Sequence, residues 1–325
     1  MRENGDNMRI LQKSKKETGI RNKGSLAREW RENKILYMMC IPALVILIMF
    51  CYIPFAGIWM AFTDFNVTDG IFGSKFVGFQ NFSYFFKGGM AGTVIYNTLF
   101  INIFGIILGL IIPISIAICI YEISGNKYKK LTQSMMFFPY FLSWVVIGAI
   151  IYGFFSTDIG VINNGLKTMG LEPVRWYAEP KYWKGILITA NVWKWSGYSS
   201  IVYLAAMSNF DTALYEAAKV DGANKFKQIK YLTLPLLKPT AVVLTLLNVG
   251  RIFYGDFGMV YGIVGNNPVL IDAVTVIDTY VYQAMRTLGF SYATAIGLFQ
   301  SVMGLILVTL ANKAAKKIND GEGLF

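Results

Sequence analysis

Long apolar runs alternate with short polar connections along this chain. Ile35 to Thr63, Gly88 to Tyr121, Leu131 to Thr157 and Thr287 to Asn312 contain no charged residue. Gly185 to Phe210 contains one, Lys194, and Pro239 to Gly262 contains two, Arg251 and Asp256. A helix needs about 20 mostly apolar residues to cross a bilayer. The pattern therefore predicts an all-α integral membrane protein with six transmembrane helices, at 35–62, 94–120, 131–155, 184–206, 239–262 and 288–311. The connections at 64–90, 156–184 and 263–286 are short and rich in Gly and aromatic residues, too small for a domain with its own core.

Charge gives the expected orientation. The segment before the first span, the 127–130 loop, the 207–238 loop and the tail from Lys313 hold 21 Lys and Arg, against eight on the other side. Both termini are therefore expected in the cytoplasm. The first 34 residues form a basic tail, polar and disordered by composition up to residue 24. From Ser25, with Leu26 and Trp30 four apart, the chain reads as an interfacial helix or as a frayed extension of the first span. That span is too long for a signal-peptide core and is expected to stay uncleaved. Residues 313–325 form a second cytoplasmic tail.

Composition narrows the chemistry. The 325 residues are 55% hydrophobic and only 15% charged, with no histidine. Imidazole-based nucleophile pairs, metal sites and proton relays are excluded. Cys40, Cys51 and Cys119 lie inside apolar runs without ligand spacing and are expected to be small buried hydrophobes. The net charge of +11 fits positive-inside bias and attraction to anionic membrane lipid, not nucleic acid.

The 207–238 loop does not read as a linker. Asp211 can N-cap a helix over 212–220, and Gly222 can end it. A second helix from Ala223 to Thr233 would be broken by Pro235 at the start of the next span. Leu214, Ala217 and Ala218 make a small apolar strip beside Glu216 and Lys219, suited to a groove on another protein. The spacing Glu216-Ala217-Ala218, Gly222, Leu232-Thr233-Leu234-Pro235 resembles the EAA loop of permease subunits of binding-protein-dependent ABC importers. Leu replaces the usual Ile at 232, and Asp221-Gly222-Ala223 is the form common in the carbohydrate-uptake branch. Phe76-Val-Gly-Phe-Gln-Asn-Phe82, Asn97-Thr98-Leu99, Phe138-Pro-Tyr-Phe-Leu-Ser-Trp144, Tyr203-Leu-Ala-Ala206 and Ile277-Asp-Thr-Tyr-Val-Tyr282 extend the likeness, the last three toward LplB-like permeases for oligo- and polysaccharides.

The resemblance implies a type I ABC importer permease fold in a bacterial cell membrane, working by alternating access. The implied partners are a second permease chain, two ATPase subunits, an extracytoplasmic solute-binding protein and a carbohydrate. The chain has no phosphate-binding loop, so ATP and Mg2+ belong to the ATPase and no cofactor is expected here. Glu216, Ala217, Ala218, Asp221, Gly222, Ala223, Leu234 and Pro235 would form the ATPase-coupling segment.

Charges at bilayer depth usually face a cavity or a partner. Asn191, Lys194, Trp195 and Tyr198 share a helix face, and Asn248, Arg251, Tyr254 and Asp256 cluster in the next span. With Asn97 these are candidates for a saccharide pathway, rings for sugar C–H faces and polar groups for hydroxyls. Alternatively, Lys194 and Arg251 pair with the second permease or with Asp256, or snorkel. Gly105 and Gly109 form a G-x-x-x-G pair suited to close helix packing. A stand-alone channel or secondary transporter, and a membrane transferase built on the scattered carboxylates Asp64, Asp69, Asp158, Asp256, Asp272 and Asp278, are the competing readings.

Overall fold

The computed structural model describes residues 26–318, and these are helical almost throughout. The 1–24 tail, its Ser25 cap and the final residues of the C-terminal tail lie outside the described residues. The chain divides into two units, residues 1–56 and 57–325.

In the first unit, α1 (Leu26–Leu47) leaves helical geometry at Asn33 (φ −114°, ψ 17°), which sets its first turns apart from the apolar helix. Trp30 and Tyr37 stack across that kink at 5.1 Å. The helix continues through a π-helical turn, Ile48–Tyr52, into a 3-10 helix, Ile53–Phe62. Every residue from Asn33 to Ala56 is exposed. A helix apolar on all sides that buries nothing in its own unit has the surface of a membrane span.

The second unit opens with a two-stranded hairpin, β1 (Thr63–Asp64) against β2 (Lys75–Phe76), with α2 (Gly70–Gly73) in its loop. Buried Asn81 donates to the carbonyls of Ala61 and Thr63, both at 3.0 Å, which ties the hairpin to α3 (Gln80–Lys87). Then come α4 (Met90–Glu122), α5 (Asn126–Phe137), a 3-10 turn at Phe138–Phe141 and α6 (Trp144–Phe155). The outer α7 (Val161–Thr168) follows, then the long α8 (Trp183–Met207). The loop helices are α9 (Thr212–Val220) and α10 (Lys225–Gln228), with a π-helical turn Ile229–Thr233 leading into α11 (Leu234–Val249). Beyond a non-helical stretch lie α12 (Phe257–Val264), α13 (Ile271–Val274), α14 (Ile277–Thr287) and α15 (Phe290–Ile318).

Among the described residues, four helical stretches are long and apolar enough to cross a membrane: Asn33–Phe62, Met90–Glu122, Lys225–Val249 and Phe290–Ala314. A fifth is a pair, Asn126–Phe141 with Trp144–Phe155, bent by 100°. Trp183–Met207 has the length, but Lys184, Asn191, Lys194 and three serines interrupt its apolar run. Hydropathy does not register where a run bends. The 131–155 run is split at 138–143, where Pro139 starts the 3-10 turn and Ser143 N-caps α6. The 239–262 run is split at 250–256, and its helix starts earlier, at Lys225. Pro235 does not break it: Leu234 N–H donates to Ile229 O, and this wider turn makes room for the ring.

The core has three clusters. Ile147, Trp183, Leu187, Met259 and Leu270 centre the one joining α4, α6, α8 and α12. Phe85, Val94, Phe253, Ile277 and Ile296 join α3, α4, α14 and α15. Ala117, Ile120, Tyr203, Met207 and Leu237 join the opposite ends of α4, α8 and α11. In the outer loop, fully buried Asn163 accepts from Val174 N–H and Trp176 Nε1 and donates to Ser156, Thr157 and Val174 carbonyls. Burial first, and then Tyr152, push the Tyr177 phenol up to about 12, so it stays neutral at any physiological pH.

Two expectations are corrected. The three cysteines are exposed on the chain's surface, because an apolar run in a membrane protein faces lipid as readily as core. Gly105 and Gly109 have open space where a Cβ would stand, so neither permits a close approach within the chain. Gly197 does: its Cβ would lie 1.7 Å from Met136 O, on backbone that cannot give way. Gly197→Ala should therefore cost about 1–3 kcal/mol, as overpacking does, while Gly105→Ala leaves thermal unfolding of the detergent-purified chain unchanged.

Candidate functional site

The 207–238 loop folds as two short capped helices around a rigid turn. Asp211 accepts from Ala213 N–H at 2.9 Å, and Asn224 accepts from Lys227 N–H at 2.9 Å, capping α9 and α10. Between them Gly222 takes the left-handed conformation (φ 77°). Ala223 N–H reaches Ala218 O at 2.8 Å and Gly222 N–H reaches Lys219 O at 3.1 Å, a Schellman turn with Asp221 at the C-cap. Gln228 Nε2 closes the turn on Ala223 O at 2.9 Å. The loop is tied to the bundle by Lys225 to Glu122, at 2.5 Å, and by Tyr215 to Thr233.

No side chain of α9 is buried. Glu216, Ala217, Asp221 and Gly222 are exposed and Ala218 half-exposed, with Leu214, Val220 (88%) and Phe226 (72%) around them. A capped, rigid helix showing apolar side chains around one carboxylate has the form of a docking element. Leu234 and Pro235 are exposed within the continuing helix, so the expected break that would fix the loop to the next span is absent; the π-turn takes its place.

The second constellation surrounds the two breaks. Backbone carbonyls freed inside a bilayer must find donors. At the 138–143 break Lys194, 7% exposed, donates from Nζ to Tyr140 O at 3.0 Å and to Leu142 O. Its ammonium also lies 5.2 Å from the Trp144 ring and 6.0 Å from that of Trp195. At the 250–256 break Asn102 Nδ2 donates to Ile252 O (2.7 Å) and Tyr254 O (2.9 Å). Gln300 Nε2 takes Phe253 O and Asp278 Oδ2, both at 2.9 Å, and Asp278 accepts from Gly255 N–H at 2.5 Å. Asp256 joins the two breaks: it accepts from Trp144 Nε1 at 2.8 Å and N-caps α12 through Met259 N–H at 2.9 Å.

The expected pathway residues are placed as follows by these bonds and by burial. Asn97 is buried, its amide spent on the carbonyls of Asp272 and Thr275 at 3.1 Å, while neighbouring Thr98 accepts from Ile277 N–H; both hold the outer loop. Lys194 acts as a staple here, with desolvated carbonyls and ring faces around its charge. Asn191 is half-buried, its amide 3.6 Å from Met259 Sδ. Trp195, Tyr198, Asn248, Arg251 and Tyr254 stay exposed. Tyr198 stacks on Tyr140 at 4.7 Å and 13°, so stapling the break also fixes an aromatic shelf. Tyr254 hydroxyl donates to Ser301 at 3.2 Å. Sequence reasoning weighed charges and missed Asn102, Gln300 and Trp144; the two amides stood in otherwise apolar runs and carried the same signal at lower strength.

An exposed, capped loop helix and stapled breaks in long apolar helices suit the membrane component of a transporter. The comparisons agree. Residues 102–319 match the family described as binding-protein-dependent transport system inner membrane component. The chain is 34% identical to Protein LplB of Bacillus subtilis over 91% of its own length and 92% of that protein. It is 35% identical to the polygalacturonan/rhamnogalacturonan transport system permease protein YteP of the same species, over 90% and 91%. Its fold matches a chain of a bacterial ABC transporter that imports the acidic polysaccharide alginate, at TM-score 0.82 and 32% identity, covering 90% of this chain and 99% of that one. The chain belongs to the binding-protein-dependent transport system inner membrane component family. It is a permease subunit of an ABC importer in the plasma membrane, and ATP hydrolysis belongs to a separate subunit.

Replacing Lys194 by Met, or Asn102 by Leu, leaves two carbonyls without donors and should destabilise the chain by about 1–3 kcal/mol in each case. Thermal unfolding in nanodiscs checks this, with the exposed Asn248→Leu as the control expected to shift little.

Proposed function

We propose that this permease carries an acidic oligosaccharide into the cell, with its Glu216 loop seated in a partner ATPase. The protein crosses the membrane six times, α8 and the bent α5–α6 pair each counting as one span, with both termini in the cytoplasm. The exposed, capped α9 is the observation that carries this reading: a rigid helix with Leu214 and Val220 around Glu216 presents an apolar face left unburied among the described residues. Two ATPase subunits, which bind ATP and Mg2+, a second permease chain and a solute-binding protein complete the importer. A related alginate importer has been solved with a periplasmic protein bound to an alginate pentasaccharide, which supports the binding protein and the carbohydrate.

Substrate charge follows from what the staples leave free. Lys194 is spent on carbonyls, whereas Arg251 is exposed at the second break and, among the described residues, pairs with no carboxylate. An exposed guanidinium at one break and the exposed rings of Trp195 and Tyr198 at the other suit a uronate, the ring faces taking sugar C–H and the cation a carboxylate. The names of two relatives, for galacturonan and alginate, point to the same chemistry.

Affinity capture of the tagged chain should recover an ATPase and a second permease, and Gly222→Pro should lose the ATPase alone. Capture without an ATPase would overturn the docking. In proteoliposomes, Arg251→Gln should lower uptake of trigalacturonate at least about tenfold while the assembled complex is retained, as loss of a charge-assisted bond predicts. Equal uptake by Arg251→Gln and the unaltered protein would remove the acidic-substrate assignment.

A further inference from the structure

Because α9 buries no side chain, what attaches it to the bundle decides how its motion is passed on. Among the described residues, one side-chain hydrogen bond does so directly: the Tyr215 hydroxyl lies 3.1 Å from Thr233 Oγ1. Tyr215 is half-buried and immediately precedes Glu216; Thr233 is buried at the end of the π-turn, two residues before Pro235. The Lys225–Glu122 ion pair anchors α10 to α4 and leaves α9 untouched. A π-turn holds one residue more than the α-helix around it and can be re-formed as α-helix by a local shift of hydrogen bonds. The bond therefore joins the docking helix to the one segment of the α11 helix with an alternative geometry close at hand.

We propose that the Tyr215–Thr233 hydrogen bond is the link that passes movement of α9 into α11, with Tyr215 a positioning residue for transport and the π-turn the element that shifts. This rests on the reading of the Glu216 loop as the ATPase dock. An ATPase that closes carries α9 with it; the aromatic ring, stiff and with only two torsions, transmits the displacement to Thr233. Without the hydroxyl, α9 still docks and ATP is still hydrolysed, but α11 no longer follows.

The test uses the assembled importer with its ATPase, Cys40, Cys51 and Cys119 replaced, and spin labels at exposed Val243 on α11 and Ile111 on α4. Distances are measured with and without ATP and vanadate, so no transported substrate is needed. The unaltered protein should show a shifted distance population on trapping. Tyr215→Phe and Thr233→Val should assemble and trap nucleotide normally yet show about 3- to 10-fold less of the shifted population, the effect of one hydrogen bond on a two-state equilibrium. The double variant should be no worse than either, and Thr233→Ser, which keeps the hydroxyl, should behave as the unaltered protein. A full shift in Tyr215→Phe, additive losses in the double variant, or Thr233→Ser as impaired as Thr233→Val would each overturn the link while leaving the dock in place. Retention of the ATPase by both Glu216→Arg and Gly222→Pro would overturn the dock, and the link with it.

Discussion

A peptide carbonyl with no donor is tolerable in water and costly in a bilayer, and the architecture of this permease follows from that cost. The chain bends at 138–143 and opens at 250–256, and each departure from the helix frees carbonyls. Three side chains meet them, Lys194 at the first bend and Asn102 and Gln300 at the second, and Asn97 does the same for the outer turn that precedes α14. Each comes from a different place in the sequence than the carbonyls it serves, so the breaks and the packing of α4, α8 and α15 depend on one another. Asp256, held by Trp144, connects the two bends into a single constellation.

The cytoplasmic loop follows an opposite logic. Its polar groups are satisfied locally, by Asp211, Asn224, Gln228 and the left-handed Gly222, so it holds its shape without a core beneath it. Its apolar side chains are then free to face outward. Rigidity from local hydrogen bonds and exposure of the apolar surface together let a few residues meet a partner without refolding.

The membrane class, the EAA-type loop, its Asp211 cap and its turn were legible in the sequence because each depends on residues close together along the chain. Hydropathy, the Asp211 cap and Gly222 are short-range signals. The breaks were not legible, since an apolar run reads the same whether straight or bent. The partners of Lys194 were not legible for a related reason. A charge at mid-membrane depth announces that something must neutralise or solvate it, but only the fold shows that carbonyls 52 and 54 residues away do so. Pro235 misled in another way: a break was expected from the missing N–H, and the π-turn absorbed the ring instead. Asn97 was expected among the pathway residues, and only the fold shows both its N–H groups on outer-loop carbonyls.

The staples have an electrical consequence. Unwound helices in membranes commonly offer bare carbonyl oxygens, the ligands from which sodium and potassium sites are made. Here the Tyr140, Leu142, Ile252, Phe253 and Tyr254 oxygens at the two bends already hold ammonium or amide hydrogens, which makes them poorer ligands for an alkali cation.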